Sequence, residues 1–144
     1  MIDPELAMAQ LKSLNLFRVV GGAAELAELK QPGKALGDGP NAYVVPLSDE
    51  PQPPRSEGGP QPMVTSFGVV IMVRRHGDAL GQKTMNALRP LRVQLLSGLL
   101  GWSPSTGFGK LFYRGGHLSD FTTAALWWQD DYACHCGIAP TNQL

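Results

Sequence analysis

The residues best suited to chemistry lie near the end of the chain, in the stretch 131–137, which reads DYACHCG. Cys134, His135 and Cys136 are consecutive, and Asp130 and Asp131 lie just before them. Thiolate and imidazole groups are ligands that zinc prefers in proteins, and a cysteine beside a histidine base can act as a nucleophile. The stretch therefore suggests two hypotheses, a metal site and a thiol-dependent active site.

The spacing of these residues argues against both hypotheses. Side chains alternate between the two faces of a strand, so the cysteines would point one way and His135 the other. Structural zinc usually takes four ligands from two separated pairs, and His76 and His117 do not form a recognisable ligand spacing with the cysteines. We therefore predict no metal, no cofactor and no catalytic residue, and expect Cys134 and Cys136 to be half-buried core residues.

A loop that could bind phosphate is the next candidate for chemistry. The stretch 105–110 reads STGFGK and lacks the spacing of a Walker motif. We predict that it forms a turn leading into a strand, and no nucleotide cofactor is expected.

Composition limits the classes of function. The chain has 144 residues, of which 43% are apolar and 17% charged, and its 12 basic and 12 acidic residues give a formal net charge of zero. A dedicated nucleic-acid or membrane-surface protein usually has a basic surplus, whereas low net charge is tolerated in a subunit of an assembly. The first residues lack the pattern of a secretory signal and no apolar stretch is long enough to span a membrane, so we expect no membrane association and a reducing cytoplasm.

The hydrophobic pattern predicts an α+β fold formed by one domain over residues 1–144. Its sheet should be mixed and mostly antiparallel, with a long helix packed on one face and shorter helices near the N-terminus. The predicted helices cover residues 4–14, 23–30 and 78–99, and the predicted strands cover residues 16–20, 42–47, 63–73, 108–113 and 124–136. Turns are expected at Gly21-Gly22 and Gly115-Gly116.

Three segments have a distinctive composition. Residues 63–73, MVTSFGVVIMV, are apolar on both faces, so this strand should be central and covered on both sides. Residues 48–62 are rich in proline and almost free of apolar side chains, which predicts an extended loop, either disordered or ordered against a partner. Pro90 lies inside the long helix and predicts a kink or two collinear pieces.

Charged residues suggest contacts between subunits. Arg74, Arg75, Arg89 and Arg92 could form a basic patch, and Arg89 and Arg92 share one face of the helix. A solvated surface is the simplest interpretation, but arginine also suits ion pairs with a neighbouring subunit. A phosphate contact is a third alternative. The acidic residues that could pair with these arginines in another copy are Asp49, Glu50, Asp130 and Asp131.

Two adjacent tryptophans also suggest a contact between subunits. Trp127 and Trp128 lie on one predicted strand and so face opposite sides of the sheet. One can enter the core, and the other, for which we nominate Trp128, needs a cover that a second subunit could supply.

The order of several stretches resembles a known family, the tail terminator proteins of long-tailed, non-contractile bacteriophages. The similar stretches are FGVVIMVRRHGD (67–78), NALRPLRVQLLSGLLGW (86–102), KLFYRGGHL (110–118) and WWQDD (127–131), with AYVVPLSDE (42–50) ahead of them. A turn formed by Gly101, Trp102, Ser103 and Pro104 follows the long helix. The likeness covers residues 3–136.

The resemblance implies a structural virion protein that is made in the host cytoplasm and is not an enzyme. Such proteins form a ring, commonly a hexamer, that caps the tail tube, ends its polymerisation and offers a surface for head–tail joining. The expected partners are further copies of the chain, the tail tube protein and a head–tail connector or head-completion protein, while DNA passes through the lumen without specific binding. We assign residues 48–62 and the turn from Arg74 to Asp78 to contacts with a neighbour or with the tube.

Two alternatives remain open from the sequence. Another neck or minor tail component, such as a head–tail joining protein, would share the assembly principle but not the position. A small enzyme using cysteine and histidine is the other alternative.

Overall fold

The computed structural model describes residues 1–138, so the last six residues of the expected domain lie outside the described part. The helices are α1 (Pro4–Ser13), α2 (Ala23–Leu29) and α3 (Gln82–Leu99). The strands are β1 (Val19–Gly22), β2 (Asn41–Pro51), β3 (Gln61–Arg74), β4 (Phe112–Phe121) and β5 (Ala125–Ile138).

The strands form one sheet in the order β1-β2-β3-β5-β4. β1 runs parallel to β2, and every other neighbouring pair is antiparallel. The α+β class and the mixed, mostly antiparallel sheet are therefore confirmed. β3 and β5 pair along their full lengths, from Gln61↔Ile138 to Arg74↔Ala125, and form the centre of the sheet.

Both faces of the central strand are covered, as the sequence predicts. On one face, Phe67, Val69 and Ile71 pack with buried side chains of α1 and α3, such as Leu11 and Leu95. On the other face, a smaller cluster joins Val70, Met72, Tyr43 and Trp127 to α2, through Leu26 and Leu29, and to Leu36. Apolar residues alternate on β3 toward two separate cores because successive side chains point to opposite faces.

The start of α1 follows from its first residues. The carboxylate of Asp3 accepts a hydrogen bond from the Glu5 backbone N–H at 3.0 Å, and Pro4 occupies the first helical turn, where a missing N–H has no cost. Ala7, Met8 and Leu11 then place one face of α1 in the core.

The predicted loop at residues 48–62 contains the end of β2 and the start of β3, and residues 52–60 form the turn of the resulting β-hairpin. After a bulge between Pro46 and Ser48, β2 and β3 continue to pair as far as Pro51↔Met63, and the Gln52 N–H donates to the Pro62 carbonyl at 2.8 Å. β1 pairs only with residues 41–44 of β2, so beyond them β2 has a neighbour on one side. Prolines are tolerated on such an edge because a missing N–H there breaks no pairing.

The two glycine pairs lie in strands and not in turns. Gly21 and Gly22 end β1 beside Tyr43 and Val44 of β2. Gly115, with φ of 136°, follows a register shift within β4, which glycine permits because it lacks a Cβ. The turn between β4 and β5 lies further on, where the Thr122 hydroxyl accepts hydrogen bonds from two backbone N–H groups. The strand predicted at residues 108–113 begins at Phe112 in the structure. Phe108 makes an isolated bridge to Cys136.

Pro90 does not divide the long helix. α3 runs continuously from Gln82 to Leu99 and places Leu88, Leu95 and Leu99 in the core. Pro90 itself is exposed on the outer side of the helix. An interior proline still removes one backbone hydrogen bond, so the helix must be held by its packing against the sheet.

We expect replacement of Pro90 to stabilise the protein. Pro90→Ala restores a backbone donor in an exposed helical position and should raise the free energy of unfolding by roughly 1–3 kcal/mol. Urea denaturation followed by circular dichroism measures this change. Val93→Ala, one turn further along the outer side, is the control and should change stability by less than about 1 kcal/mol. A loss of stability in Pro90→Ala would contradict the expectation.

Candidate assembly surfaces and a buried ion pair

The carboxylate of Asp130 lies at the centre of a buried polar network. Arg92 donates to it twice, from Nε at 3.0 Å and from Nη2 at 2.9 Å, which is the bidentate geometry that arginine and carboxylate favour. The Tyr113 hydroxyl and the Trp128 indole N–H also donate to Asp130, each at 2.9 Å. Asp130 has no exposed surface, and its charge is compensated by these four hydrogen bonds.

The buried charge of Asp130 shifts the pKa values of neighbouring groups. The hydrogen bonds to Asp130 raise the pKa of Arg92, and burial followed by the same carboxylate raises the pKa of Tyr113. Tyr132 lies on the same face of β5, and its pKa is raised chiefly by burial and further by Asp130. Within residues 1–138 its hydroxyl has no hydrogen-bond partner. Both tyrosines and Arg92 therefore keep their protons across the physiological pH range.

This network corrects part of the predicted interface. Arg92 and Asp130 were candidates for pairing between subunits, but they pair with each other inside one chain. Trp128 does face away from Trp127, as predicted, yet its cover comes from the same chain, because the Arg92 guanidinium lies 4.6 Å from the centre of its ring. These three residues stabilise the fold, and Asp130 is not available to a neighbour.

The turn from Arg74 to Asp78 is held by contacts within the chain. Arg74 donates to the carbonyls of Gly37 and Ala124, and Arg75 donates to those of Asp78, Ala79 and Thr122. These hydrogen bonds engage two of the five N–H donors of Arg74 and four of those of Arg75.

Asp78 supports the start of α3. The sequence predicts that it caps the long helix, and its carboxylate accepts hydrogen bonds from the backbone N–H and the hydroxyl of Thr84. The backbone hydrogen bond is the main cause of a lowered pKa at Asp78. The helix itself begins at Gln82, because Gly81 adopts φ of 77° and occupies the cap position.

Asp49 and Glu50 also have partners in their own chain. Asp49 lies 3.7 Å from the N-terminal amine, and Glu50 lies 3.5 Å from Arg114 across the sheet. Both pairs are partly exposed to solvent, so they contribute little stability and can exchange partners at low cost.

Arg89 and Asp131 differ from the other candidates. Arg89 is exposed on α3, and no ion pair or side-chain hydrogen bond involves it among residues 1–138. Asp131 accepts a hydrogen bond from Gln129 at 2.8 Å and is paired with no cation in that same range. Of the ten candidate residues, these two remain the most open to an external partner.

The cysteine stretch has the geometry expected of a strand. Cys134 faces the main core, Cys136 is half-buried two residues on, and the His135 ring faces the other side, with its centre 5.5 Å from that of Phe112. Burial raises the pKa of Cys134 to about 11, so its thiol is protonated at neutral pH. Within residues 1–138 no group of three His, Cys, Asp or Glu side chains could hold a metal ion.

Tyr113 and Arg114 make polar contacts that the sequence does not reveal. Asp130, the partner of Tyr113, is 17 positions away and is brought close by the pairing of β4 with β5. Glu50, the partner of Arg114, lies on β2 and is reached across β3 and β5. The register of the sheet is the signal that identifies them.

Comparison with known proteins gives the class of this chain. A profile described as phage tail terminator protein matches residues 1–142. A chain from the virion of a native gene transfer agent particle has a similar structure, with a TM-score of 0.50 and 16% sequence identity, over 94% of this chain and 86% of that chain. No curated protein shows a significant match.

The chain belongs to the phage tail terminator family, because the family profile spans nearly its whole length. It is therefore a structural component of the phage tail, and the resemblance noted from the sequence is confirmed. The structural likeness at 16% identity supports the fold alone. In the described part of the chain, no helix has the length and apolar character needed to span a bilayer.

We expect the buried ion pair to be essential to stability. Asp130→Asn removes the charge that compensates Arg92 and should lower the free energy of unfolding by about 3–5 kcal/mol. Urea denaturation measures the loss. The matched control is Glu50→Gln, which breaks the exposed pair with Arg114 and should cost less than about 1 kcal/mol. Equal losses in the two variants would contradict the assignment of Arg92 and Asp130 to the fold.

Proposed function

We propose that copies of this chain close into a ring, a hexamer by analogy with the family, that caps the tail tube and ends its polymerisation. The observation that carries this proposal is the family match over residues 1–142. The proposed ring also offers a surface for a head–tail connector or head-completion protein, and DNA passes through its lumen without specific binding.

The physical requirements of such a cap agree with the described molecule. A ring made by rotation needs two different complementary surfaces on each subunit, and a cap needs a third surface for the tube. β1 and β4 are the edge strands of the sheet, and the hairpin turn at residues 52–60 extends beyond the paired strands. A formal net charge of zero is compatible with a lumen that conducts DNA without holding it.

Addition of the purified protein to growing tail tubes tests the proposal. When it is added during polymerisation, tubes should stop growing at shorter lengths, and negative-stain images should show a ring at one end. When it is added after growth is complete, the length distribution should not change, which is the internal control. Unaltered growth in the first experiment would count against a terminator, and head binding without an effect on length would favour another neck component.

The hairpin turn is our candidate for contact with the tube. Residues 52–60 are exposed apart from the half-buried Gly59 and include three prolines, which restrict the backbone before any contact forms. An open groove beside the turn, lined by Arg55, Pro60, His135 and Cys136, continues this surface toward the end of β5. A preordered projection of this kind can bind a partner with a small entropic cost.

Shortening the turn should separate capping from ring formation. Replacing residues 53–61 with Asn-Gly keeps a hairpin, because this dipeptide favours a two-residue turn and Gln52 faces Pro62 in the observed register. Rings should still form, while the concentration needed to stop tube growth should rise about tenfold or more. Size-exclusion chromatography and tube-length measurement give the two readouts. The control is Arg55→Ser, which keeps the length of the turn, and a shortened variant that caps tubes normally would contradict this role.

A further inference from the structure

The net charge of zero conceals a separation of charge along the chain. Residues 79–119 contain no aspartate or glutamate, but they contain five basic residues, Lys83, Arg89, Arg92, Lys110 and Arg114. Residues 1–50 contain seven acidic residues and only four basic ones. Arg92 is neutralised by Asp130 and Arg114 by Glu50. On the side of α3 and β4, Lys83, Arg89 and Lys110 remain against the exposed Asp120 of β4, so this region keeps a small positive surplus.

Within residues 1–50, Asp49 pairs with the N-terminal amine, Asp38 with Arg18 and Glu28 with Lys34. Among the described residues, the charges of this region that have no ion pair are those of Asp3, Glu5 and Glu25 against Lys12 and Lys30.

The fold places β1 and β4 at opposite edges of the sheet, while α1 and α3 pack side by side on one face between them. β4 is one edge strand, and α3 lies beside it, since Arg92 of α3 binds Tyr113 of β4 and the Phe121 ring lies against Gly81. β1 is the other edge strand, and α1 packs over β1 and β2. A small surplus of positive charge therefore lies on the side of α3 and β4, and a small surplus of negative charge lies on the side of α1 and β1.

Large exposed apolar side chains concentrate at the same two edges. At the β4 side they include Leu80, which is 94% exposed, Val93 at 66% and Leu118 at 50%. At the β1 side they are Leu6 on α1, Val19 on β1 and Leu47 on the open part of β2. We call the first set, with Lys83 and Arg89, the basic edge, and the second set, with Asp3 and Glu5, the acidic edge.

We propose that the basic edge of one copy binds the acidic edge of the next. This inference rests on the proposed ring and names the two surfaces that close it. A heterologous contact between opposite sides of a subunit repeats by rotation, so it generates a closed ring without any further interface. The exposed apolar residues supply the buried area, and the opposite charges set the orientation of each copy.

A second copy fits the basic edge better than nucleic acid does. Binding to a phosphate backbone depends on many cations with polar neighbours, whereas this edge combines two lysine or arginine side chains with three exposed aliphatic ones. Water-exposed Leu80, Val93 and Leu118 gain from contact with other apolar groups, and the acidic edge provides them. Charge complementarity between the two edges of the same chain therefore favours self-association.

Two single charge reversals and their mixture test the contact. Arg89→Glu alters only the basic edge, and Glu5→Lys alters only the acidic edge. Each variant places like charges at every joint, so the concentration at which rings form should rise roughly tenfold or more. An equal mixture should form rings again, because in an alternating ring every joint then contains one positive and one negative residue. Native mass spectrometry follows the rings, and circular dichroism verifies that each variant is folded.

Matched controls make the outcomes distinct. Arg55→Glu introduces the same reversal at the hairpin turn and should form rings as the unaltered protein does. Leu118→Asn and Val19→Asn remove apolar area from one edge each and should both weaken the ring.

Several results would overturn the inference. If both charge variants formed rings normally, the surface assignment would fail while tube capping could still hold. If the mixture failed to recover rings, the two edges would not contact each other. If Arg89→Glu formed rings but lost binding to a DNA duplex, the basic edge would be a nucleic-acid surface. If the unaltered protein formed no ring, with or without tubes, the proposed function would fail as well.

Discussion

The full-length pairing of β3 with β5 is the constraint on which the rest of the structure depends. Both strands have apolar side chains on two faces near the α2 end, so neither face can be left to water. The chain resolves this by placing α1 and α3 on one face and α2 on the other. Because helices cover the faces, the strand edges and the outer sides of α1 and α3 remain for contact with other molecules. The position of the central strands thus decides which surfaces a neighbour can use.

The general fold follows from local patterns, and the specific contacts do not. The helical spacing of Leu88, Leu95 and Leu99 and the doubly apolar strand at residues 63–73 predict α3 and β3 because these signals lie within one element. The bulge at Gly115 could not be distinguished from a turn, since glycine permits both. The pairing of residues 48–51 with 63–66 depends on an edge that tolerates proline, which is a property of the sheet.

In the candidate site as well, residue types could be predicted from the sequence but their contacts could not. The sequence predicts ion pairs of Arg89 or Arg92 with another copy, and sequence position alone cannot show that Arg92 has its partner in the same chain. Arg92 and Asp130 are 38 residues apart, and their contact requires both the packing of α3 on the sheet and the register of β5. The buried pair is costly to desolvate, so four hydrogen bonds to one carboxylate are needed to keep it. Arg89, one turn earlier, faces outward and has no such constraint.

The distribution of charge has a consequence for how a terminator can stop growth. In the proposed ring, contacts between copies bury the basic and acidic edges. The two axial sides of the ring are then formed by the hairpin and the loops. A growing tube adds subunits through a repeated surface, whereas a cap must present that surface on one side only. A subunit whose complementary edges lie across the sheet closes laterally through those two edges. In the proposed ring, the end of polymerisation must then come from a difference between its two axial sides, and the hairpin turn is the candidate for the side that contacts the tube.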